Sequence, residues 1–366
     1  MHNYPSLSIF YLFSVLLINA CSSSTNIDFK KSRELKEAPE GVFSMIVIPD
    51  TQQYFGKSTK LEPDSENELT NPVFKTQIKW INDNIDRQKV VFVSHVGDIV
   101  DINNHSQWSL ARNFMNSLHG KIPYGISVGN HDMTSDGNSS LFQQYFPVSR
   151  FSEFDWYGGY FNETSSITHS SNNSNSYQLF TAEGIDFVIL HLECNAPDNV
   201  LMWADKILSK HKNRFAIIST HMFLGPIEKP RTPEGFFNDP KGIMRWIKNH
   251  GENGNSPQQM WDKLFSKHKN IHLILSGDQS RSNALNHKLI GDSGNTVYAI
   301  LSDYMLSPGP LRIMRFKKHK NEIEIISYNV NDNNIVSGTK TIPEKSSHNF
   351  TIDIDFSAYL KIESRR

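Results

Sequence analysis

The sequence predicts an α/β protein built as a β-sandwich flanked by helices, and three observations lead there. Apolar, partly β-branched runs recur along the chain, helical patterns alternate with them, and the last third changes to strands separated by turn-rich segments. The runs Val42 to Ile48, Val90 to Val96, Tyr124 to Val128, Ile185 to Leu192, Arg214 to Ile218 and Ile271 to Leu275 read as buried strands. Between them, Val73 to Ile85 carries Ile78, Ile81 and Ile85, and Trp108 to Leu118 carries Leu110, Phe114 and Leu118. That spacing puts the apolar residues on one face of a helix. Leu201, Ala204, Ile207 and Leu208 repeat the pattern, as do Trp261, Leu264 and Phe265. Thr296 to Leu301, Leu311 to Phe316 and Glu322 to Tyr328 then read as strands of hairpins.

The chain has 366 residues, 38% of them hydrophobic, which is enough for one large domain with a sizeable core. A net charge of −1 gives no global field that would favour nucleic acid or an anionic membrane. Ser8 to Ile18 is almost wholly apolar, too short to span a bilayer, and ends at Asn19-Ala20-Cys21, which reads as a signal peptide over 1–21. Ile18 to Cys21 resembles a bacterial lipobox, so the expectation is an extracytoplasmic lipoprotein whose only membrane attachment is a lipid at Cys21, with ordinary secretion as the alternative. Residues 22–40 are polar and lack an apolar period, which suits a flexible tether. The domain is expected over 41–330, with a C-terminal extension over 331–366 that has room for one more strand. Cys194 has no cysteine partner once Cys21 is modified, and reads as a small structural residue. Two stretches, Asn162 to Asn175 and Gly225 to Pro257, are biased toward loop residues and could wall a substrate cleft.

The chemistry lies in five short segments: Asp50-Thr51-Gln52, Gly97-Asp98, Gly129-Asn130-His131-Asp132, His221, and Gly277-Asp278-Gln279-Ser280. Most stand just after a strand run, at the sheet edge where ligands gather in layered α/β proteins. Their order resembles the calcineurin-like metallophosphoesterase family, whose motifs run Asp-x-His, Gly-Asp, Gly-Asn-His-Asp/Glu, His and Gly-His-x-His. The similarity spans roughly 42–329 and is closest to a secreted bacterial branch whose first motif reads Pro-Asp-Thr-Gln, as Pro49 to Gln52 do here. Gln52 stands where the family has a histidine, and Asp278 and Ser280 stand where it has the two histidines of the degenerate last motif.

The resemblance implies a four-layer metallophosphoesterase-like sandwich and hydrolysis of a phosphomonoester or phosphodiester by a metal-activated hydroxide. In that scheme Asp98 bridges two divalent ions, Asp50 and Gln52 hold one, and Asn130, His221 and Asp278 hold the other. An Asp in place of His favours Mn, Mg or Ca, with Zn or Fe as alternatives. With Gln52 and Ser280 weak, the ion of Asp98, Asn130, His221 and Asp278 is expected to be the firmer, and the site holds one ion or two. His131 would be the general acid, or a donor to a phosphoryl oxygen, and Asp132 would orient its ring. Arg281 could bind phosphate, and Tyr157, with Trp156 and Tyr160, could either rim the site or pack a loop. Asp278 and Gln52 each also suit a plain turn role. The expected partner is a small or polymer-linked phosphoester. The competing reading is a degenerate member that binds a phosphorylated or glycan ligand at the cell surface without turnover.

Overall fold

The apolar runs become strands of two sheets packed face to face. The structure, a computed structural model, describes residues 34–162 and 169–360. The signal segment, and the tether as far as residue 33, lie outside the described residues. The strands are β1 (Phe43–Ile48), β2 (Val90–His95), β3 (Tyr124–Ile126), β4 (Tyr157–Tyr160), β5 (Ser176–Ala182), β6 (Ile185–Leu192), β7 (Phe215–Thr220), β8 (Leu224–Pro226), β9 (Lys241–Ile243), β10 (Ile271–Ser276), β11 (Ala284–Ile290), β12 (Thr296–Ser302), β13 (Pro310–Lys317), β14 (Glu322–Asn329), β15 (Asn334–Ile335) and β16 (Asn349–Asp353). The helices are α1 (Pro72–Asn84), α2 (His105–Met115), α3 (Ser140–Tyr145), α4 (Asp198–Lys210), α5 (Gly235–Asn238), α6 (Pro257–Lys263) and α7 (Lys345–His348). One sheet runs β15-β14-β13-β1-β2-β3, with β16 also on β14; the other runs β11-β12-β10-β7-β6-β5-β4, and β8 and β9 form a separate hairpin. The central strands β1-β2-β3 and β6-β7-β10-β12 are parallel, so their C-terminal ends share an edge within each sheet.

Alternation along each strand sorts side chains into three apolar layers. In β1, Ile46 and Ile48 join the layer that contains Phe74, Ile78 and Ile81 of α1 and Trp108 and Met115 of α2. Met45 and Val47 face the other way, into the layer between the sheets with Phe187, Ile189, Ile217, Leu273 and Leu275. On the far side, Val188, Leu190, Ile218 and Ile274 pack with Val200, Leu201, Ala204 and Leu208 of α4 and Met260 and Trp261 of α6. The result is the mixed α/β sandwich that the alternation predicts. Helix starts are encoded locally: Asn71 caps α1 by accepting from Phe74 N–H (3.0 Å) ahead of Pro72, and Ser256 with Gln259 forms a capping box on α6.

Some elements escape the hydrophobic pattern. β11 is an edge strand whose Asn286, His287 and Lys288 are exposed, so it carries little apolar signal. β5 buries Ser176 and Gln178, which bond each other (3.0 Å), and β4 is half glycine. The tether expected to reach residue 40 ends sooner. Leu35 and Ala38 are buried, Ala38 N–H donates to Arg87 O (3.1 Å), and Arg315 donates to Lys36 O, so the segment is anchored to the fold over Leu35 to Ala38. Residues 331–360 are built into the fold, with β16 on β14 and Phe356 in the layer between the sheets.

Arg312 of β13 secures this C-terminal segment. It is fully buried and donates to Ser302 Oγ (2.6 Å), Leu301 O (3.0 Å), Ser347 O (3.2 Å) and His348 O (3.2 Å), joining both sheets to α7. Arg312→Met leaves those acceptors unpaired and is expected to destabilise the protein by about 3 kcal/mol. Urea unfolding measures this, and a loss below about 0.5 kcal/mol would contradict the assignment.

His191 lies between the sheets, its Nε2 3.0 Å from Ser94 Oγ and its Nδ1 2.7 Å from Gln178 Oε1. Burial pushes its pKa from 6.5 down to about 3. The unfolded chain therefore binds a proton that the folded chain refuses, and the stability held above pH 6.5 is lost as pH falls toward 3. In that window one such proton contributes a slope of about 1.4 kcal/mol per pH unit. His191→Gln is expected to make the acid limb of the stability curve shallower; an unchanged slope would argue against a neutral buried imidazole.

Candidate metal centre

Asp50 follows β1, Asp98 follows β2, Asn130 to Asp132 follow β3, His221 follows β7 and Asp278 follows β10. The parallel strands deliver these loops to one place, and hydrogen bonds between the loops stitch them together. Thr51 N–H donates to Asp98 O (3.0 Å) and Gly277 N–H to His221 O (2.8 Å). Asp278 N–H donates to Asp50 Oδ2 (3.1 Å), and His131 N–H to Asp98 Oδ1 (2.9 Å). This closeness explains two glycines: a Cβ on Gly129 would lie 2.2 Å from Asp98 Oδ1, and one on Gly277 would lie 2.0 Å from Asp50 Oδ1. Asp98 (φ +51°) and Asp278 (φ +71°) both adopt left-handed backbone, a strain of roughly 1–3 kcal/mol each that side chains of functional sites often carry.

Asp50, Asp98 and His221 are buried, and each offers a donor atom within 4.8 Å of the other two. His221 Nδ1 lies 3.0 Å from Val96 O, so it donates there and leaves Nε2 as the free donor atom. Nε2 is 3.2 Å from Asp98 Oδ1 and 3.5 Å from Asp278 Oδ1 but makes no well-directed hydrogen bond. Asp50 Oδ1 and Gln52 Oε1 are likewise buried without a partner. Two carboxylates and an imidazole, with orphaned atoms on Asp50 and His221, suit a hard or borderline divalent ion.

The electrostatics are those of crowded carboxylates. Burial raises Asp50 well above the usual carboxylate range, and the negative charge of Asp303 adds to this. Burial also pushes Asp98 and Asp278 upward, but cations outweigh it: His221 holds Asp98 low, and Lys248 with His221 holds Asp278 low. His221 is raised well above 6.5, because Asp98 and Asp50 overcome its desolvation. Asp303 is pushed up to about 7 by burial first and then by Asp278, while accepting from Met305 N–H (3.0 Å).

The other expected site residues fall out differently. Asn130 Oδ1 accepts from Lys248 Nζ (3.3 Å), and Asp278 forms an ion pair with the same Nζ, so the donors expected to hold the firmer ion are engaged by a lysine. Among the expected ligands, Asp50 Oδ1, Gln52 Oε1 and His221 Nε2 are buried without a hydrogen bond. His131 lies beside Asp98, with Nε2 4.0 Å from Asp98 Oδ2. Asp132 does not orient it: its carboxylate accepts from Val100 N–H (3.1 Å) and Gly129 N–H (2.8 Å), clamping the loops after β2 and β3. The ring is positioned through Nδ1, 2.8 Å from Asp101 O and 3.0 Å from Lys60 Nζ, because the carbonyl lies on the loop that faces it. Arg281 is exposed and rests on the Phe236 ring at 4.9 Å. Tyr157 takes the packing role, with its ring stacked on Phe151 (5.7 Å) and its hydroxyl donating to Asn173 Oδ1 (2.7 Å).

Sequence reasoning missed Asp303 and Lys248. Asp303 directly follows β12 and could have been found by the rule that found the others. Lys248 sits in the long loop after β9, where nothing in its neighbours distinguishes it from a solvated lysine.

A divalent ion that binds only the folded state stabilises it by about 2.7 kcal/mol at a hundredfold excess over its dissociation constant. Manganese is accordingly expected to raise the melting temperature of the native protein, and Asp98→Asn and His221→Ala to abolish the rise. An equal rise in those variants would place the ion elsewhere.

Comparison with known proteins gives this site a setting. The family model described as calcineurin-like phosphoesterase matches residues 44–281, which includes every motif described above. The protein YvnB of Bacillus subtilis (strain 168), named as uncharacterized, is 27% identical over 326 residues, covering 86% of this chain and 22% of YvnB. The chain thus spans less than a quarter of that relative's length. Purple acid phosphatase PPD1 from yellow lupin (Lupinus luteus) seeds superposes with a TM-score of 0.50 at 13% identity, over 90% of this chain and 57% of that one. A dimetal phosphatase from Danio rerio gives 0.49 at 14% identity, over 86% and 99%. The family match covers well over half of the chain, and the chain belongs to the calcineurin-like phosphoesterase family.

Proposed function

We propose that this protein is a metal-dependent phosphoesterase that hydrolyses a phosphomonoester or phosphodiester outside the cytoplasm, with His131 as the proton donor. The observation that carries the reading is the buried set of Asp50, Asp98 and His221, whose donor atoms lie within 4.8 Å of one another. Membership of the phosphoesterase family supports the reaction type, and the apolar 8–18 segment followed by Cys21 supports an extracytoplasmic lipoprotein. When bound, a divalent ion supplies neutralisation of phosphoryl charge and lowers the pKa of water.

The chain's own residues do the rest. Val96 O fixes the His221 ring with Nε2 toward the carboxylates. Asp98 accepts the His131 backbone N–H (2.9 Å), which holds the loop bearing the acid against the centre. His131 keeps Nδ1 on Asp101 O (2.8 Å), so Nε2 is left to carry a proton to the leaving oxygen. Its side chain is 28% exposed, the accessibility that a group meeting substrate needs.

A protein that binds a phosphorylated ligand without turnover is the second reading. The Lys248 contacts with Asp278 and Asn130 favour it, since they engage donors that a second ion would use.

Manganese-dependent hydrolysis of aryl phosphomonoesters or diesters, abolished by chelation, distinguishes the two readings; binding without any such turnover would select the second. His131→Ala is expected to lower kcat by about 10²–10⁴ for alkyl esters and far less for aryl esters, whose leaving groups need no proton. Equal losses on both would argue against the acid role.

A further inference from the structure

We propose that the Lys248 ammonium takes the place of a second divalent ion, so that the centre holds one metal, and that removing the ammonium opens a second metal site. The inference rests on the metal-dependent reading above and concerns how many ions the centre takes.

Lys248 Nζ is ion-paired with Asp278 Oδ1, a carboxylate only 1% exposed, and lies 3.3 Å from Asn130 Oδ1. A carboxylate oxygen and an amide oxygen converging on one point form a cation cradle, and the cation in it is the chain's own. The charges agree. With His221 neutral as a metal ligand, one divalent ion and one ammonium bring three positive charges to the three carboxylates Asp50, Asp98 and Asp278.

The lysine is also built in from its backbone. Lys248 N–H and Asn249 N–H donate to the same Asn195 Oδ1 at 2.9 and 3.3 Å. Asn249 Nδ2 donates to Thr134 O and His250 N–H to Ser135 O, both at 3.0 Å. The segment is thus pinned between the loop that follows β6 and the loop that follows β3, which carries Asn130. Trp246 lies under the ammonium, 5.4 Å from ring centroid to Nζ. An ammonium cannot polarise water as an ion does, but it can neutralise a phosphoryl oxygen as a point charge.

The full chain is equilibrated with excess manganese, freed of loose ions by gel filtration, and assayed by elemental analysis and electron paramagnetic resonance. The wild type is expected to hold one manganese with an uncoupled spectrum. Lys248→Ala and Lys248→Met, the latter keeping the stem over Trp246, are expected to hold two with an exchange-coupled spectrum, and Lys248→Arg to stay at one. Two ions in the wild type would overturn the inference, as would one ion in folded Lys248→Ala and Lys248→Met, and either result leaves the metal-dependent reading intact. No ion in the wild type would overturn both.

Discussion

The site depends on one electrostatic constraint: Asp50, Asp98 and Asp278 must be held together, out of water, where two sheets end. Two unit charges 4 Å apart repel by about 4 kcal/mol at the effective dielectric typical of protein sites, so such a cluster persists only with positive charge among it. His221 and Lys248 supply part of that charge, and they depress Asp98 and Asp278 against the opposing effect of burial. At Asp50 burial and the negative charge of Asp303 outweigh the pull of His221, and its pKa is raised. The imbalance falls on Asp50, whose Oδ1 also lacks a hydrogen-bond partner. Charge and hydrogen bonding therefore identify the same place for a divalent cation.

The scaffold makes this crowding tolerable. Parallel strands β1, β2 and β3 in one sheet and β7 and β10 in the other end at a shared region, and each donor sits within a few residues of a strand whose core face is buried. Loop-to-loop bonds such as Thr51 to Asp98 and Gly277 to His221 keep the carboxylates from separating as their repulsion would dictate. The left-handed backbone at Asp98 and Asp278 is a second cost carried by the same packing. Asp132, far from idle, fastens the loops after β2 and β3 through two backbone N–H groups.

How far the sequence could be read follows from the same physics. Buried strands such as β1, β2, β7 and β10 carry long apolar runs, and a polar residue just after such a run stands out, which is why Asp50, Asp98, His221 and Asp278 were legible. Half-exposed or polar strands were not: β11 presents Asn286 to Lys288 to solvent, and β5 buries hydrogen-bonded polar side chains that look like loop residues. Roles set by long-range contacts were also hidden. Asp132 is adjacent to His131 in sequence but faces Val100 and Gly129, and Lys248 reaches the centre only because Asn195, Thr134 and Ser135 anchor its loop.

The most direct test of this account is the anomalous scattering of manganese in crystals of the native protein. The account predicts a single peak among Asp50, Asp98 and His221, with the Lys248 ammonium still between Asn130 and Asp278. A peak at the Lys248 position, a pair of peaks bridged by Asp98, or no peak at the strand ends would contradict it.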